Sequence, residues 1–584
     1  VQPVDLTTLT AVVHELRSHW LPARCEQIVQ PDSHTLCLAL RTYQQRGWLT
    51  LSWHPQAARL HLGAPPPRQP DTFTFSQQLK HQLNGLALTQ IASLAPWERA
   101  LDLHFAVRPG EPARWHLYAE IMGKYSNVIL TNAHQEIVTA AHQVSEQQSR
   151  VRPIRTGNRY ESPPPMRGAL PRLEESFTSW QARISLIPGN LRKMLLQTYG
   201  GLSSALIQQM LIAADLEGEL TTSELSDQDW QTLFTQWQTW LTWLNTDHFQ
   251  PGWCTRGGYT VLGWDLSQPA PDVQSLLADY YRDQLNRQRF TQLHHQLRQK
   301  LKTLLEKLQQ KATGFQTRLT ESEHADEERR QADLLMAHLP MWRPGLTAIT
   351  LNDFETGEPL TIPLNPEKNA VQNAQALYKR HQKLKRARQA VLPLLQAVQT
   401  EIHYLEQVEA ALVQTADYRQ PDDLWALEEI RDELIQQSYL SDPYQMPRPK
   451  KDSLPHCHRI RTPGGWELLI GRNNNQNDSL TFKVATDYDL WFHTQEIPGS
   501  HVVMRLAPGA VPSDADLAFA ADVAAYYSRA RQADQVPVVY TEPRHVYKPK
   551  GERPGMVIYK HERVLWGCPQ RLRELQPADA LTPV

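Results

Sequence analysis

The side chains best suited to chemistry crowd into the last quarter of the chain. Asn473, Asn474, Gln476 and Asn477 follow Gly471 and Arg472; Trp491, Phe492 and His493 come next, and then Gly499, Ser500 and His501. The amides supply donors and acceptors, an aromatic pair can stack on a base, and a glycine lets backbone approach a ligand closely. Arg472, Arg544, Lys548, Lys550 and Arg553 add charge suited to phosphates. The combination reads as an RNA-contact surface. The enzymatic alternative takes His493, Ser500 and His501 as a base and nucleophile set. Sequence adjacency does not put a hydroxyl on an imidazole, however, and no G-x-S-x-G elbow is present. Trp491 and Phe492 are as well suited to a core as to a stacking platform.

A second charged set lies mid-chain. Lys379, Arg380, Lys383, Lys385, Arg386 and Arg388 fall within ten residues that contain no acid. Such a run is commonly a solvated helix face, but beside a hairpin it suits docking on an RNA backbone. The net charge of the chain is only -2, so there is no global basic field and RNA contact must be local. The five cysteines, Cys25, Cys37, Cys254, Cys457 and Cys568, form no CxxC pair and read as reduced thiols. His456-Cys457-His458 lacks a second ligand cluster at zinc-finger spacing, so neither a metal nor a cofactor is expected. The first residues do not form a signal peptide, and no apolar run is long enough to span a bilayer. A cytoplasmic protein without membrane association is expected.

Around these residues the chain divides. At 584 residues it exceeds one core and predicts roughly three to five domains. Short strand-like runs near Thr35–Leu40, Trp48–Trp53 and Arg114–Tyr118, after a first helix, predict an α+β domain, a sandwich or barrel with flanking helices. Ser162-Pro163-Pro164-Pro165 reads as a linker or irregular wrap. In 190–216, Gly200-Gly201 separates two apolar-periodic helices, with Ser203 placed to cap. This is either a helix-hairpin-helix offering backbone N–H groups to a phosphate or a plain αα-hairpin. Phe290, Leu293, Leu297, Leu301, Leu304, Leu308, Ala312, Phe315 and Leu319 make one apolar seam. Leu384, Ala387, Val391, Leu394, Val398, Ile402, Leu405 and Val408 make another, and the two arms should pair antiparallel with a β-hairpin near 346–364 at their far end. Gly314 and Pro393 argue against unbroken helices.

Four motifs in order, GRNNNQND from Gly471, DLWFH from Asp489, IPGSHVV from Ile497 and KPKGERPGMV from Lys548, resemble the NFACT-R domain. EIMGKYSNVIL from Glu120 is similar to a signature of NFACT-N, and NAQALYKRHQKLKRAR from Asn373 is similar to the family's second arm. The whole chain thus resembles the NFACT family of ribosome-associated quality-control factors in its bacterial form, some members of which are labelled fibronectin-binding. The resemblance implies a multidomain α+β protein: a glycosylase-like NFACT-N domain over 1–180, a helix-hairpin-helix module over 181–250, and a return segment over 251–280. An antiparallel coiled coil over 281–440 and an NFACT-R domain over 441–584 follow. It further implies binding to large ribosomal subunits carrying an obstructed peptidyl-tRNA and its nascent chain. Recruitment of tRNA, alanyl-tRNA for bacterial members, and alanine tailing follow, with the ribosome forming the bond, so the protein is not itself an enzyme.

By the same resemblance the tRNA contacts are Glu98, Arg99, Lys124, Arg472, Asn473, Asn474, Gln476, Asn477, Trp491, His493, Ser500, His501, Lys548 and Lys550. Lys379, Arg380, Lys383, Lys385, Arg386 and Arg388 would contact the ribosome. Glu98 stands where the family has Asp, which keeps the carboxylate but lengthens it by a methylene. Two rivals belong to other classes. A DNA-repair glycosylase would use an N-terminal Pro-Glu, whereas this chain reads Val1-Gln2-Pro3-Val4-Asp5. A fibronectin-binding surface adhesin would carry export or sorting signals, and none is seen.

Overall fold

The structure is a computed structural model that describes residues 1–68, 70–165, 168–441 and 456–574. The expected start of the C-terminal domain therefore lies largely outside the described residues. Two compact units divide the chain, Val1–Leu285 and Asn286–Val584.

The first unit opens with α1 (Leu6–Trp20), where the Asp5 carboxylate caps the helix by accepting from the Thr8 backbone N–H. There follow β1 (Ala23–Asp32), β2 (Thr35–Arg41), β3 (Arg46–Ser52) and β4 (Arg59–Gly63), then α2 (Thr74–Leu83). After it come β5 (Ala87–Ser93), β6 (Ala100–Ala106), β7 (Trp115–Glu120), β8 (Asn127–Asn132) and β9 (Ile137–Ala140). The nine strands form one antiparallel sheet in the order β4-β3-β2-β1-β5-β6-β7-β8-β9. Side chains alternate across a strand, so Leu101, Leu103, Phe105, Leu117 and Ala119 enter the main core while Asp102, His104, His116 and Tyr118 take the other face.

Four helices continue the unit: α3 (Phe177–Ile184), α4 (Leu191–Thr198), α5 (Ser204–Ala213) and α6 (Asp227–Asn245), around fully buried Trp180, Trp237 and Trp240. Ser203 caps α5 through the Leu206 N–H and donates its hydroxyl to Asp5. The Gly200-Gly201 turn sits on protein: a Cβ at Gly201, where φ is +83°, would meet the Trp97 ring at 2.8 Å. A small sheet of β10 (Gly252–Cys254), β11 (Tyr259–Thr260) and β12 (Leu266–Pro269) precedes the long α7 (Val273–Glu323).

In the second unit, α7 is followed by α8 (Ala325–Ala337), a hairpin of β13 (Ala348–Asn352) and β14 (Pro359–Pro363), then α9 (Ala370–Gln414) and α10 (Pro421–Gln436). Phe290, Leu293, Leu297, Leu301 and Leu305 of α7 share a core with Tyr404, Leu405, Val408 and Leu412 of α9 and Leu424, Leu427, Ile430 and Leu434 of α10. Two sequence expectations need correction here. Both helices run unbroken through Gly314 and Pro393. The seam of α9 runs through Leu395, 4 % exposed, and not Leu394, 51 % exposed. Val391 to Val398 can be bridged by steps of three and four in either order, so spacing alone did not choose.

The C-terminal domain is a six-stranded antiparallel sheet with helices. It contains β15 (His458–Arg461), β16 (Glu467–Ile470), α11 (Asn474–Ser479) running into a π turn at Leu480–Val484, β17 (Leu490–Thr494) and β18 (Val502–Met504). Then come α12 (Asp514–Tyr526), β19 (Val536–Thr541), the short pair β20 (Val546–Tyr547) and β21 (Ile558–Tyr559), β22 (Arg563–Gly567) and α13 (Pro569–Glu574). The sheet order is β15-β16-β18-β17-β19-β22. Phe492, Val502 and Val538 pack with Ala520, Ala521 and Ala524 of α12, while Trp491, Val503 and Val539 face a second cluster with Leu480 and Val546. No described helix is long and apolar enough to cross a membrane.

Candidate RNA-binding site

The polar motif after β16 is built as a buried connector. Asn473 caps α11 by accepting from the Gln476 backbone N–H, which turns the next side chains toward α10. There Arg472 pairs with Asp423, Asn473 and Gln476 donate to Glu429 at 2.8 and 2.7 Å, and Asn474 donates to Glu433 at 2.9 Å. Tyr404 of α9 donates to the same Glu433 oxygen at 2.7 Å. Behind α11, the Asn477 side-chain oxygen accepts from the His501 backbone N–H at 3.1 Å. Lys548 pairs with Asp478, and Arg553 lies over the rings of Tyr404 and Tyr439 at 4.8 and 5.6 Å. The glycines of the motif serve this packing. A Cβ at Gly555, where φ is +77°, would meet the Asn474 side-chain oxygen at 2.5 Å. The close approach at Gly499 is likewise to protein, the side chains of Ser528 and Thr494.

Burial sets the electrostatics. Glu433 is 1 % exposed, and loss of solvent pushes its carboxyl up from 4.5 to about 7 against the hydrogen bonds from Tyr404 and Asn474, which favour the charge. Burial lowers His493 to about 4 and drives His501 well below the ordinary imidazole range, so both rings are neutral near pH 7. Ser500 donates to Gln414 at 3.1 Å, and His501 Nδ1 bonds the Thr481 hydroxyl at 2.7 Å. The two sequence neighbours are thus engaged elsewhere, not as nucleophile and base. The Trp491 indole N–H also reaches Thr481, and its ring is fully buried.

The structure therefore brings together Arg472, Asn473, Asn474, Gln476, Asn477, Trp491, Ser500 and His501, all buried, with half-buried His493 and Lys548 at their margin and Lys550 exposed. These eight side chains are buried, and protein partners take up the polar groups described above. Sequence reasoning missed Asp423, Glu429 and Glu433. The available signal was an acid, Glu433, inside the apolar stripe of Leu424, Leu427, Ile430 and Leu434.

In the first unit, Glu98 and Arg99 lie on the loop joining β5 to β6, both half-buried. Trp97 enters this loop at φ +67° and packs edge-on against Trp240, fixing the loop on the helical module. Arg99 Nη1 donates to the Val4 carbonyl at 3.3 Å. Glu98 lines a pocket of about 130 Å³ with His14, Arg17, Ser18 and Asp247. Lys124 is exposed beside the Tyr125 ring. In the second unit, Lys379, Arg380, Lys383, Lys385, Arg386 and Arg388 are all exposed on α9, and Arg380 reaches Glu328 at 3.1 Å.

Comparison with known proteins gives a consistent result. A family model of the NFACT N-terminal and middle domains matches residues 5–453, and one of the NFACT protein RNA binding domain matches residues 457–560. The Rqc2 homolog RqcH of Bacillus subtilis (strain 168) is 30 % identical over 572 residues, 96 % of each chain. That of Streptococcus suis (strain 05ZYH33) is 31 % identical over 563 residues, 94 % of this chain and 95 % of its own. Among solved structures, the C-terminal part of a fibronectin/fibrinogen-binding protein from Streptococcus suis is 30 % identical, covering 50 % of this chain and 97 % of its own at a TM-score of 0.37. The N-terminal part of that protein is 24 % identical, covering 48 % and 99 % at 0.39. With both domain models in register along nearly its full length, the chain belongs to the NFACT family and carries that family's RNA-binding domain.

Proposed function

We propose that the chain is a ribosome-associated quality-control factor. It binds large ribosomal subunits that carry an obstructed peptidyl-tRNA, recruits tRNA, alanyl-tRNA first, and supports mRNA-independent alanine tailing of the stalled nascent chain. The observation that carries this reading is 30 % identity across 96 % of the chain to an Rqc2 homolog. The ribosome forms the peptide bond, and this chain contributes positioning, which lowers a barrier without an acid, base or nucleophile of its own.

Exposure divides the labour. The six cations from Lys379 to Arg388 dock on ribosomal RNA, where phosphate contacts give affinity and salt dependence. Glu98, Arg99, Lys124, His493, Lys548 and Lys550 contact tRNA, with Arg99 suited to fork onto a phosphate or base edge. The buried Arg472–Asn477 segment, Trp491, Ser500 and His501 hold that surface in shape.

The test is affinity isolation from the host, with sequencing of the bound tRNA and detection of alanine tails. Large subunits and enriched alanyl-tRNA are the expected result. Complexes without subunits and without enriched tRNA at moderate salt would end the proposal; enrichment of another tRNA would end only the alanine assignment. Replacing Glu98 and Arg99 by Ala should abolish tailing while subunit binding persists, and unchanged tailing removes both from the site.

A further inference from the structure

On the β-sheet of the first unit, three side chains converge that the ribosomal reading does not use. Asp102 and His104 are alternate residues of β6 and share a face; His116 of β7 stands directly opposite His104 in the register. Asp102 Oδ2 lies 3.0 Å from His104 Nε2 and 2.9 Å from His116 Nδ1. The three ligand atoms all fall within 4.8 Å of one another. Among the described residues this is the one such group of three or more.

We propose that Asp102, His104 and His116 form a binding site for a divalent transition ion of the zinc class. Two imidazoles and one carboxylate on one face are the donor set of three-ligand sites, which leave further positions open to water. The side chains are 12, 23 and 18 % exposed, so an ion has a path in and solvent can complete its shell. Bonds of about 2.0–2.1 Å require ligand atoms a little over 3 Å apart, which the two carboxylate edges nearly meet. The ligand atoms of His104 and His116 lie within 4.8 Å of each other, and rotation of the His104 imidazole would supply the rest.

The tautomers also permit it. Without an ion, each imidazole donates toward Asp102 from the nitrogen that would ligate; on binding, that proton is carried on the other ring nitrogen and the ion takes its place. Stacking fixes the second imidazole, since His116 lies on Tyr118 and Tyr118 lies on Tyr160 with ring centres 3.7 Å apart. Orientation of this kind by neighbours is what tunes a ligand imidazole. The ion would join β6 to β7 through side chains in addition to the backbone ladder.

The experiment uses the full chain, stripped of metal by chelator and dialysed, titrated with zinc chloride by calorimetry. One site per chain is expected. His104→Asn and His116→Asn, each with an unchanged circular-dichroism spectrum, should weaken it by roughly 100-fold or more, because outer-shell partners alone are worth about 10–100-fold. His134→Ala, at an exposed histidine elsewhere, should leave it unchanged. X-ray absorption on the zinc-loaded natural sequence needs no variant and should show two imidazoles with oxygen. Zinc bound equally well by both folded variants, a sulfur-containing shell, or no binding above that of exposed histidines would each overturn the site.

Discussion

Glu433 makes the stability of the second unit depend on pH in a direction that can be worked out. Its carboxyl is held at about 7, against 4.5 in the unfolded chain, because burial opposes the charge. Between those values the fold keeps a proton that the unfolded chain has lost. The folded value is the raised one, so the stabilisation is fully present below about pH 4.5 and is lost as pH rises through about 7. At about 1.4 kcal/mol per pH unit, the loss amounts to about 3 kcal/mol. Glu433→Gln removes the titration but keeps an oxygen for Tyr404 and Asn474. Its amide nitrogen falls where Oε2 has no partner, a pH-independent cost of about 1–3 kcal/mol. Urea melts of both proteins at pH 4.5, 6 and 8, compared at each pH so that other titrations cancel, should show the variant gaining about 3 kcal/mol relative to the natural sequence across the series. A difference constant to within about 0.5 kcal/mol would refute the reasoning and would mean that burial does not raise the Glu433 carboxyl above its ordinary value.

Three further outcomes follow from the same packing. Arg472→Ala leaves Asp423 buried without its cation and should cost about 3–5 kcal/mol, with much of the loss recovered when Asp423→Asn is added; a double-mutant cycle in urea reads this. Leu395→Ala should destabilise by about 2–5 kcal/mol and Leu394→Ala by less than about 1 kcal/mol, and equal shifts in thermal melts would place the seam wrongly. Gly555→Ala meets both a positive φ and the Asn474 oxygen, so it should lower the melting temperature, whereas Gly551→Ala, with open space around its Cβ, carries only the φ penalty and should lower it less.

What the sequence made legible was local chemistry. The hairpin near 346–364 could be read because Asp353 and Gly357 interrupt two alternating runs; in the structure Gly357 takes φ +74° and Ile349, Leu351 and Ile362 share one buried cluster. Ser203 could be read as a cap because a hydroxyl before an apolar helix has one cheap use. The helix continues through Pro393, where burial of Val391, Leu395 and Val398 offsets the hydrogen bond that proline cannot make. The amide cluster was legible as special but not as buried. An asparagine facing a phosphate and one facing a glutamate look alike in sequence, and the partners stand 41 to 49 residues away on α10.

That placement changes where RNA affinity must come from. Arg472 answers Asp423 and Arg553 lies on two tyrosines, so part of the positive charge around the motif is already engaged inside the fold. The cations of α9 differ in kind: all six are exposed, and among the described residues only Arg380 has an acid within salt-bridge distance. Counterion release scales with phosphates neutralised, so Lys379, Lys383, Lys385, Arg386 and Arg388 should dominate the salt dependence of ribosome binding. Replacing Lys379, Lys383 and Arg386 by Gln should therefore flatten the slope of log affinity against log salt by roughly two to three. Replacing Arg472 should leave that slope in place while lowering the fraction of folded protein. Were Arg472 to flatten the slope without loss of stability, the motif would be reading RNA directly, and the packing against α10 would have to open when RNA binds.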